Sequence, residues 1–343
     1  MEIISLSVLL PVVCLFAVRK LIKFGGLSTD RPNERSSHLE ETPRGAGVVL
    51  IISIVVGYCF AWFSGFHASA EVFGLILLTI LCGLLGTVED IWEISPKARF
   101  VGEAVLAVFL IRSGLAWKTL PFIGGEVTLS YYQSFFLTLL WVVWGINFYN
   151  FMDGINGIAL MQGAALSLFY SAMMYFSGAS FLACVIFSLL VAILSILPFN
   201  YPKARIFLGD SGSLLLGFFF AVLPLALHGQ RPEFSIFHAS LVILPFIGDS
   251  GLTILRRLIS RENIVRPHRT HCYQIMTPDK TRHAKVSLAY GLVAFIEGSL
   301  IFLYFYYNEP IWFVISIAIA FLVVVKFMIM QIRYFKQSVS SGR

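Results

Sequence analysis

Long apolar runs broken by short polar junctions set the plan of this chain. A helix needs about 20 mostly apolar residues to cross a bilayer, fewer where its ends are anchored. Eleven stretches meet that demand, at 2–18, 45–64, 70–88, 98–112, 131–146, 157–176, 178–197, 213–228, 235–255, 286–306 and 310–330. The fourth is the weakest, being short and carrying Glu103. The pattern predicts an all-α, polytopic integral membrane protein of about 11 transmembrane helices, forming a single transmembrane domain over 1–343. Residues 144–157 break the apolar rule most clearly. There Asn147, Asn150 and Asp153 recur every third residue, a spacing that lines three polar side chains along one helical stripe. Polar groups at the end of a membrane helix are costly unless they face a cavity, an ion or a partner.

Composition agrees with the pattern. Hydrophobic residues make up 58% of the 343 positions and charged residues 13%, with a mean hydropathy of +0.83. A soluble domain carries about 25% charged residues, so a soluble enzyme is excluded. The net charge of +6 carries no nucleic-acid signal, because its placement follows the spans. One side of the predicted membrane holds 19–44, 89–99, 147–156, 198–212, 256–285 and the tail from Lys326. That side takes all of the 25 lysines and arginines except Arg112, Lys118 and Arg231. The positive-inside rule then puts the N-terminus outside and the C-terminus in the cytoplasm. The N-terminal apolar run lacks a basic leader and reads as a retained span rather than a cleaved signal. The five cysteines show no paired spacing, so neither a disulfide nor a zinc site is expected.

The same side also collects the residues that could carry chemistry, so a water-soluble substrate would arrive from the cytosol and a lipid sideways from the bilayer. The first loop, Asp30 to His38 and then Thr42 to Gly47, offers Arg35, His38 and Arg44 ahead of a helix N-terminus, a place suited to phosphate. Anionic lipid headgroups would suit it equally. The second loop opens with Glu89 and Asp90, which need cations or water nearby; Lys97 and Arg99 are available counter-charges. The fourth places Asp210 between Gly209 and Ser211-Gly212 at a helix mouth. Asp210 can be a hard-cation ligand, an N-cap, or both. In the fifth, His268 and His271 flank Arg269. That set lacks a full zinc complement and suits a diphosphate better. Within the spans lie Glu103, Asp249 and Glu297. Asp249 sits near enough to Arg256-Arg257 to reach the site, whereas structural pairing is expected for the other two.

Taken together, Asp-x-Pro-Asn-x-Arg-Ser-Ser-His, the acidic pair, Asn-x-x-Asn-x-x-Asp-Gly-x-x-Gly, Gly-Asp-Ser-Gly-Ser and Arg-Pro-His-Arg-x-His resemble the polyprenyl-phosphate N-acetylhexosamine-1-phosphate transferases of glycosyltransferase family 4 type. Five motifs in order cover nearly the whole chain, and the first and last look most like the branch that initiates O-antigen. The resemblance implies a bacterial inner-membrane enzyme. It would transfer a sugar 1-phosphate from a UDP-N-acetylhexosamine to polyprenyl (undecaprenyl) phosphate, releasing UMP and requiring Mg2+, with Mn2+ as a substitute. It implies Asp210 as metal ligand, with Asn150 and Asp153 beside it. Asp90 would position or deprotonate the lipid phosphate, and Asn156 would approach the uracil. His268, Arg269 and His271 would grip the diphosphate, and Arg44 the lipid phosphate; Glu89 and Asn147 are further candidate substrate-binding residues, with bracing of its neighbours as the other reading of Asn147. Two positions depart from the family pattern: Glu89 stands where the first Asp of the pair is usual, and Asn156 where bacterial members commonly have Asp. A transporter of an anionic solute is the alternative from another class, and a scaffold that has lost activity is a third. A transporter should place its polar groups near the bilayer midplane, whereas these gather at one face.

Overall fold

The structure is a computed structural model, and it describes residues 2–30, 41–92, 94–122, 125–263 and 268–340. In chain order it contains helix α1 (Glu2–Phe24), strands β1 (Ser28–Asp30) and β2 (Thr42–Arg44), then α2 (Gly47–Phe63), α3 (Ala70–Trp92) and α4 (Pro96–Arg112). Strands β3 (Thr119–Phe122) and β4 (Gly125–Thr128) precede α5 (Tyr131–Met152), α6 (Ile158–Phe176), α7 (Ser180–Asn200) and α8 (Asp210–Gln230). The chain closes with α9 (Ile236–Val242), α10 (Leu244–Ile259), α11 (Cys272–Met276), α12 (His283–Tyr307) and α13 (Pro310–Ser340). All eleven predicted segments are helical. Among the described residues seven helices are long and apolar enough to cross a membrane, and eight if α9 and α10 count as one bent span. Helix α2 is apolar but only 17 residues long, and α4, equally short, carries Lys97, Arg99, Glu103 and Arg112.

Three features differ from the sequence reading. Segment 235–255 is not one straight span: α9 and α10 meet at Ile243 with a bend of 93°. Pro245, in the first turn of α10, has no N–H to continue the ladder from α9. Two small antiparallel hairpins, β1–β2 and β3–β4, close polar junctions with local backbone pairing. The helices also run further than the apolar runs suggest, because polar end residues keep helical backbone where their side chains find partners. Thus Glu89 and Asp90 belong to α3, Asn147 and Asn150 to the last turns of α5, and Asp210 opens α8.

Helix α8 is the axis of the bundle. Every residue from Ser211 to His228 is buried, and α2, α3, α5 and α6 pack around it. A helix apolar on all faces belongs either inside a core or against lipid, and α8 is enclosed by protein. Its first turn is approached so closely by α3 that a Cβ on Gly86 would overlap the Asp210 carbonyl. The close approach brings the acidic end of α3 onto the N-terminus of α8. Helix α13, by contrast, lies at the periphery with most of its apolar side chains exposed, as expected of a surface facing lipid.

Candidate active site

The acidic end of α3 meets α8 through Asp90. Its Oδ1 accepts from the Asp210 N–H at 2.9 Å and its Oδ2 from the Ser211 N–H at 3.0 Å. The first N–H groups of a helix have no partner within it, and they carry the positive end of its dipole. Asp90 satisfies two of them from another helix, 120 residues away in sequence, and is only 5% exposed. The residue before α8, Gly209, has φ +78°, a conformation that L side chains rarely adopt. In this arrangement Asp90 fixes the backbone that presents Asp210. The sequence reading had given Asp90 a direct role on the lipid phosphate.

Asp210 then gathers the ends of two other helices. Asn150 Nδ2 donates to Asp210 Oδ1 at 2.7 Å and to Ser213 Oγ at 2.8 Å. The Arg99 guanidinium lies 3.9 Å from Asp210 Oδ1, 2.9 Å from Glu89 Oε1 and 3.4 Å from Glu103 Oε1. Asn147 Nδ2 donates to Glu103 Oε2 at 2.5 Å and to the Val143 carbonyl at 2.8 Å. Glu103 is therefore structurally paired, as expected for a buried acid. Asn147 braces the network rather than facing open space. Glu89, one methylene longer than Asp, forms an ion pair with Arg99. Sequence reasoning treated Arg99 as a counter-charge at a solvated helix end. The Arg99–Glu103 spacing of four on one helical face was the signal for a larger role.

Asp153 follows α5 as its C-cap residue. Burial, then the charges of Asp210 and Asp90, push its carboxyl up to about 7, and Arg44 pulls it down. Arg44 is in reach because strand β2 lies beside Phe207 of the 198–212 segment. That segment is clamped to the turn after Asp153: the Gly157 N–H donates to Asn200 Oδ1 at 2.7 Å, and Asn156 Nδ2 donates to the Pro202 carbonyl at 3.0 Å. The amide N–H of Asn156 is thus engaged with backbone, on the turn beside Asp153. Arg35 and His38 lie outside the described residues.

The fifth segment reaches the same place through α11. Tyr273 donates its hydroxyl to the Phe151 carbonyl at 3.0 Å, next to Asp153. The His271 ring is buried, 5.8 Å from Tyr273 and 6.3 Å from Phe151. His268 sits 4.9 Å from His271, and Thr270 Oγ1 lies 3.0 Å from its Nδ1. Burial, followed by His271, Arg257 and Arg256, pushes the His268 imidazole down to about 3. Arg269 is exposed. Asp249 does reach this segment, as a backbone acceptor: its Oδ1 accepts from the Cys272 N–H at 2.6 Å.

Beside the polar cluster runs an apolar groove of about 320 Å³. Leu137, Leu140, Trp144 and Phe148 of α5 line one wall; Ile243 at the bend and Ile247 of α10 line the other. Phe148 is the residue next to Asn147, so the groove ends within a turn of Asn150 on the same helix. Helix ends, acids and arginines converge on one end of the bundle, and the apolar groove runs along α5 up to Phe148 near that end.

The residues present fit a hard divalent cation. Asp210 lies close enough to Asp153 for its charge to raise the proton affinity of the Asp153 carboxylate, and Asn150 has only its amide oxygen left to offer. No group of three or more His, Cys, Asp or Glu side chains among the described residues is spaced to enclose a metal by itself. Magnesium is typically held by one or two carboxylates plus substrate phosphates rather than by an all-protein cage.

Fold and site together define a polytopic membrane protein with a charged centre at one end of its helices and an apolar groove along α5. The sequence profile of glycosyl transferase family 4 matches residues 72–228, which span α3 to α8. The probable undecaprenyl-phosphate N-acetylglucosaminyl 1-phosphate transferase of Bacillus subtilis (strain 168) is 27% identical over 299 residues, covering 86% of this chain and 80% of the relative. The decaprenyl-phosphate N-acetylglucosaminephosphotransferase of Mycolicibacterium smegmatis is 29% identical over 313 residues, 82% of this chain and 77% of the relative. The phospho-N-acetylmuramoyl-pentapeptide-transferase of Staphylococcus saprophyticus is 30% identical over 241 residues, 65% of this chain and 73% of the relative. The chain belongs to glycosyl transferase family 4.

Proposed function

We propose that this protein transfers an N-acetylhexosamine 1-phosphate from a UDP-sugar to polyprenyl phosphate, releasing UMP and starting a lipid-linked glycan. The observation that carries the reading is the gathering of Asp210, Asp153 and Arg99 at one end of the bundle, with an apolar groove along α5 that runs up to Phe148 near them. Each substrate needs one half of that site: the prenyl chain the groove, the phosphates the charged centre. Its similarity to relatives named as undecaprenyl-phosphate and decaprenyl-phosphate transferases supports it. A transporter is disfavoured because these polar groups sit at helix ends rather than along a path through the bundle.

In the reaction an oxygen of the lipid phosphate attacks the sugar-side phosphorus of the UDP-sugar. A new P–O bond forms, the diphosphate bridge breaks, and UMP leaves with the electron pair. The lipid phosphate is largely anionic at neutral pH, so the attack needs little base catalysis and the problem is repulsion between anions. Positioning and charge stabilisation dominate such transfers. Arg44 and Arg269 supply positive charge, with Arg35 and His38 from the first loop. Asp90 holds the α8 N-terminus, and Arg99 and Asn150 orient Asp210. Asp210, Asp153 and the Asn150 oxygen would hold a magnesium ion, whose charge would offset that of the phosphates. One direct displacement is favoured over a covalent aspartyl route, because Asp90 is already committed to two backbone N–H groups. The site faces the cytoplasm of a bacterial inner membrane, following the distribution of lysine and arginine.

The test is incubation of the purified full chain with labelled UDP-N-acetylhexosamines, undecaprenyl phosphate and magnesium. Labelled lipid with release of UMP is expected. Absence of labelled lipid with every UDP-sugar, from folded protein, refutes the reading. The sugar that reacts fastest would also decide whether the O-antigen branch is the right one.

A further inference from the structure

Helix α10 has two working faces. Ile247, with Ile243 at the bend, lines the apolar groove. Asp249, two residues on, points the other way. It is fully buried, and its carboxylate is a hub: besides the Cys272 N–H on Oδ1, Oδ2 accepts from the Tyr273 N–H at 2.9 Å and the Tyr290 hydroxyl at 2.7 Å. Thr253 Oγ1 donates to Oδ1 at 3.3 Å, and His271 Nδ1 lies 3.7 Å away. These are the first N–H groups of α11, the turn that carries the Arg269–His271 segment. Two further contacts tie this segment to its surroundings: Arg256, also on α10, donates to Thr270 Oγ1 at 3.2 Å, and Gln331 of α13 donates to the Thr270 carbonyl at 2.9 Å.

We propose that Asp249 is a positioning residue that holds the Arg269–His271 segment over the site. Because it does so from α10, the groove wall and that segment form one element, and a prenyl chain and a UDP-sugar bind cooperatively. This deepens the function proposed above and rests on it. A buried carboxylate accepting backbone N–H groups is a strong, charge-assisted tether. A ligand that favours one placement of α10 favours the segment placement linked to it, and the coupling is reciprocal.

Asp249→Asn is the sharp variant, since it keeps shape but removes the charge and puts an NH2 donor in place of one oxygen, against one of the two backbone N–H donors. Two readouts apply to the full chain in nanodiscs. In the first, amide exchange at Cys272 and Tyr273 is expected to speed by about tenfold or more in Asp249→Asn. Undecaprenyl phosphate is expected to slow it in the wild type but not in the variant. In the second, KM for the UDP-sugar rises by about tenfold while kcat changes less. Tyr290→Phe removes only one donor to Asp249, so it serves if Asp249→Asn does not fold; its expected effect on exchange is about threefold. Wild-type exchange in whichever variant folds overturns the proposal. So does exchange in the wild type that does not respond to undecaprenyl phosphate at concentrations that saturate turnover. Failure of the proposed function would show separately, as no labelled lipid from the wild type, and the exchange comparison between wild type and variant would still judge the tether.

Discussion

Gly209→Ala removes no group that could take part in chemistry, which makes it the cleanest probe of how the charged centre is built. Gly209 has φ +78° and ψ 173°, a region open essentially to glycine alone. Holding alanine there costs on the order of 1–3 kcal/mol. A Cβ would also lie 2.5 Å from Asp90 Oδ2 and 2.9 Å from Oδ1. That carboxylate cannot simply swing away, because each oxygen accepts a backbone N–H of α8. Losing one such charged hydrogen bond costs about 1.5–3 kcal/mol. The two terms together come to about 2.5–6 kcal/mol, and they fall on the turn that presents Asp210. If about 3 kcal/mol of this is felt in the transition state, the rate falls by about two orders of magnitude. The assay is transfer of labelled sugar phosphate to undecaprenyl phosphate, run beside thermal unfolding of the same detergent-purified sample. A variant within threefold of the wild-type rate, with an unchanged unfolding midpoint, would refute the account of Asp90 as the anchor of α8.

Three further outcomes are expected. Arg99→Gln leaves Glu89, Glu103 and Asp210 without their shared cation; breaking a buried pair costs about 3 kcal/mol, so rate and thermal stability should both fall, and Arg99→Lys should recover part of each. Asp210→Ala should abolish turnover and weaken magnesium binding measured calorimetrically with UDP present; near-normal turnover would contradict its assignment as the metal ligand. His268, held down to about 3 by burial and its cationic neighbours, stays neutral in the folded protein. Its contribution to stability is therefore full above the unfolded value of about 6.5 and is lost as pH falls from there toward 3; its imidazole NMR signals should not titrate between pH 5 and 8 in the substrate-free protein, and His268→Gln should flatten the acid limb of the stability curve.

The sequence by itself determined the helices and the family. A long apolar run has one stable form in a bilayer, because every backbone group must be satisfied within the segment. That is why all eleven predicted segments are helical. The polar clusters at 89–99, 147–156, 198–212 and 256–285 were legible for a related reason: acids and amides beside apolar runs stand out. Tertiary structure decided what those residues do. Asp90 and Asp210 were both named, but only packing placed the Asp90 carboxylate on the N–H groups of α8, across 120 residues. Packing also made Arg99 a shared partner of three acids and made Asp249, read only as an acid within a span that could reach the site, a buried tether. Pro245 hinted at a break near Ile243, yet a proline inside a span fixes neither the angle of a bend nor the groove beside it. Periodicity and hydropathy are properties of neighbours along the chain. The partner of a carboxylate is set by which donors lie within about 3 Å, and that is known only once the helices have packed.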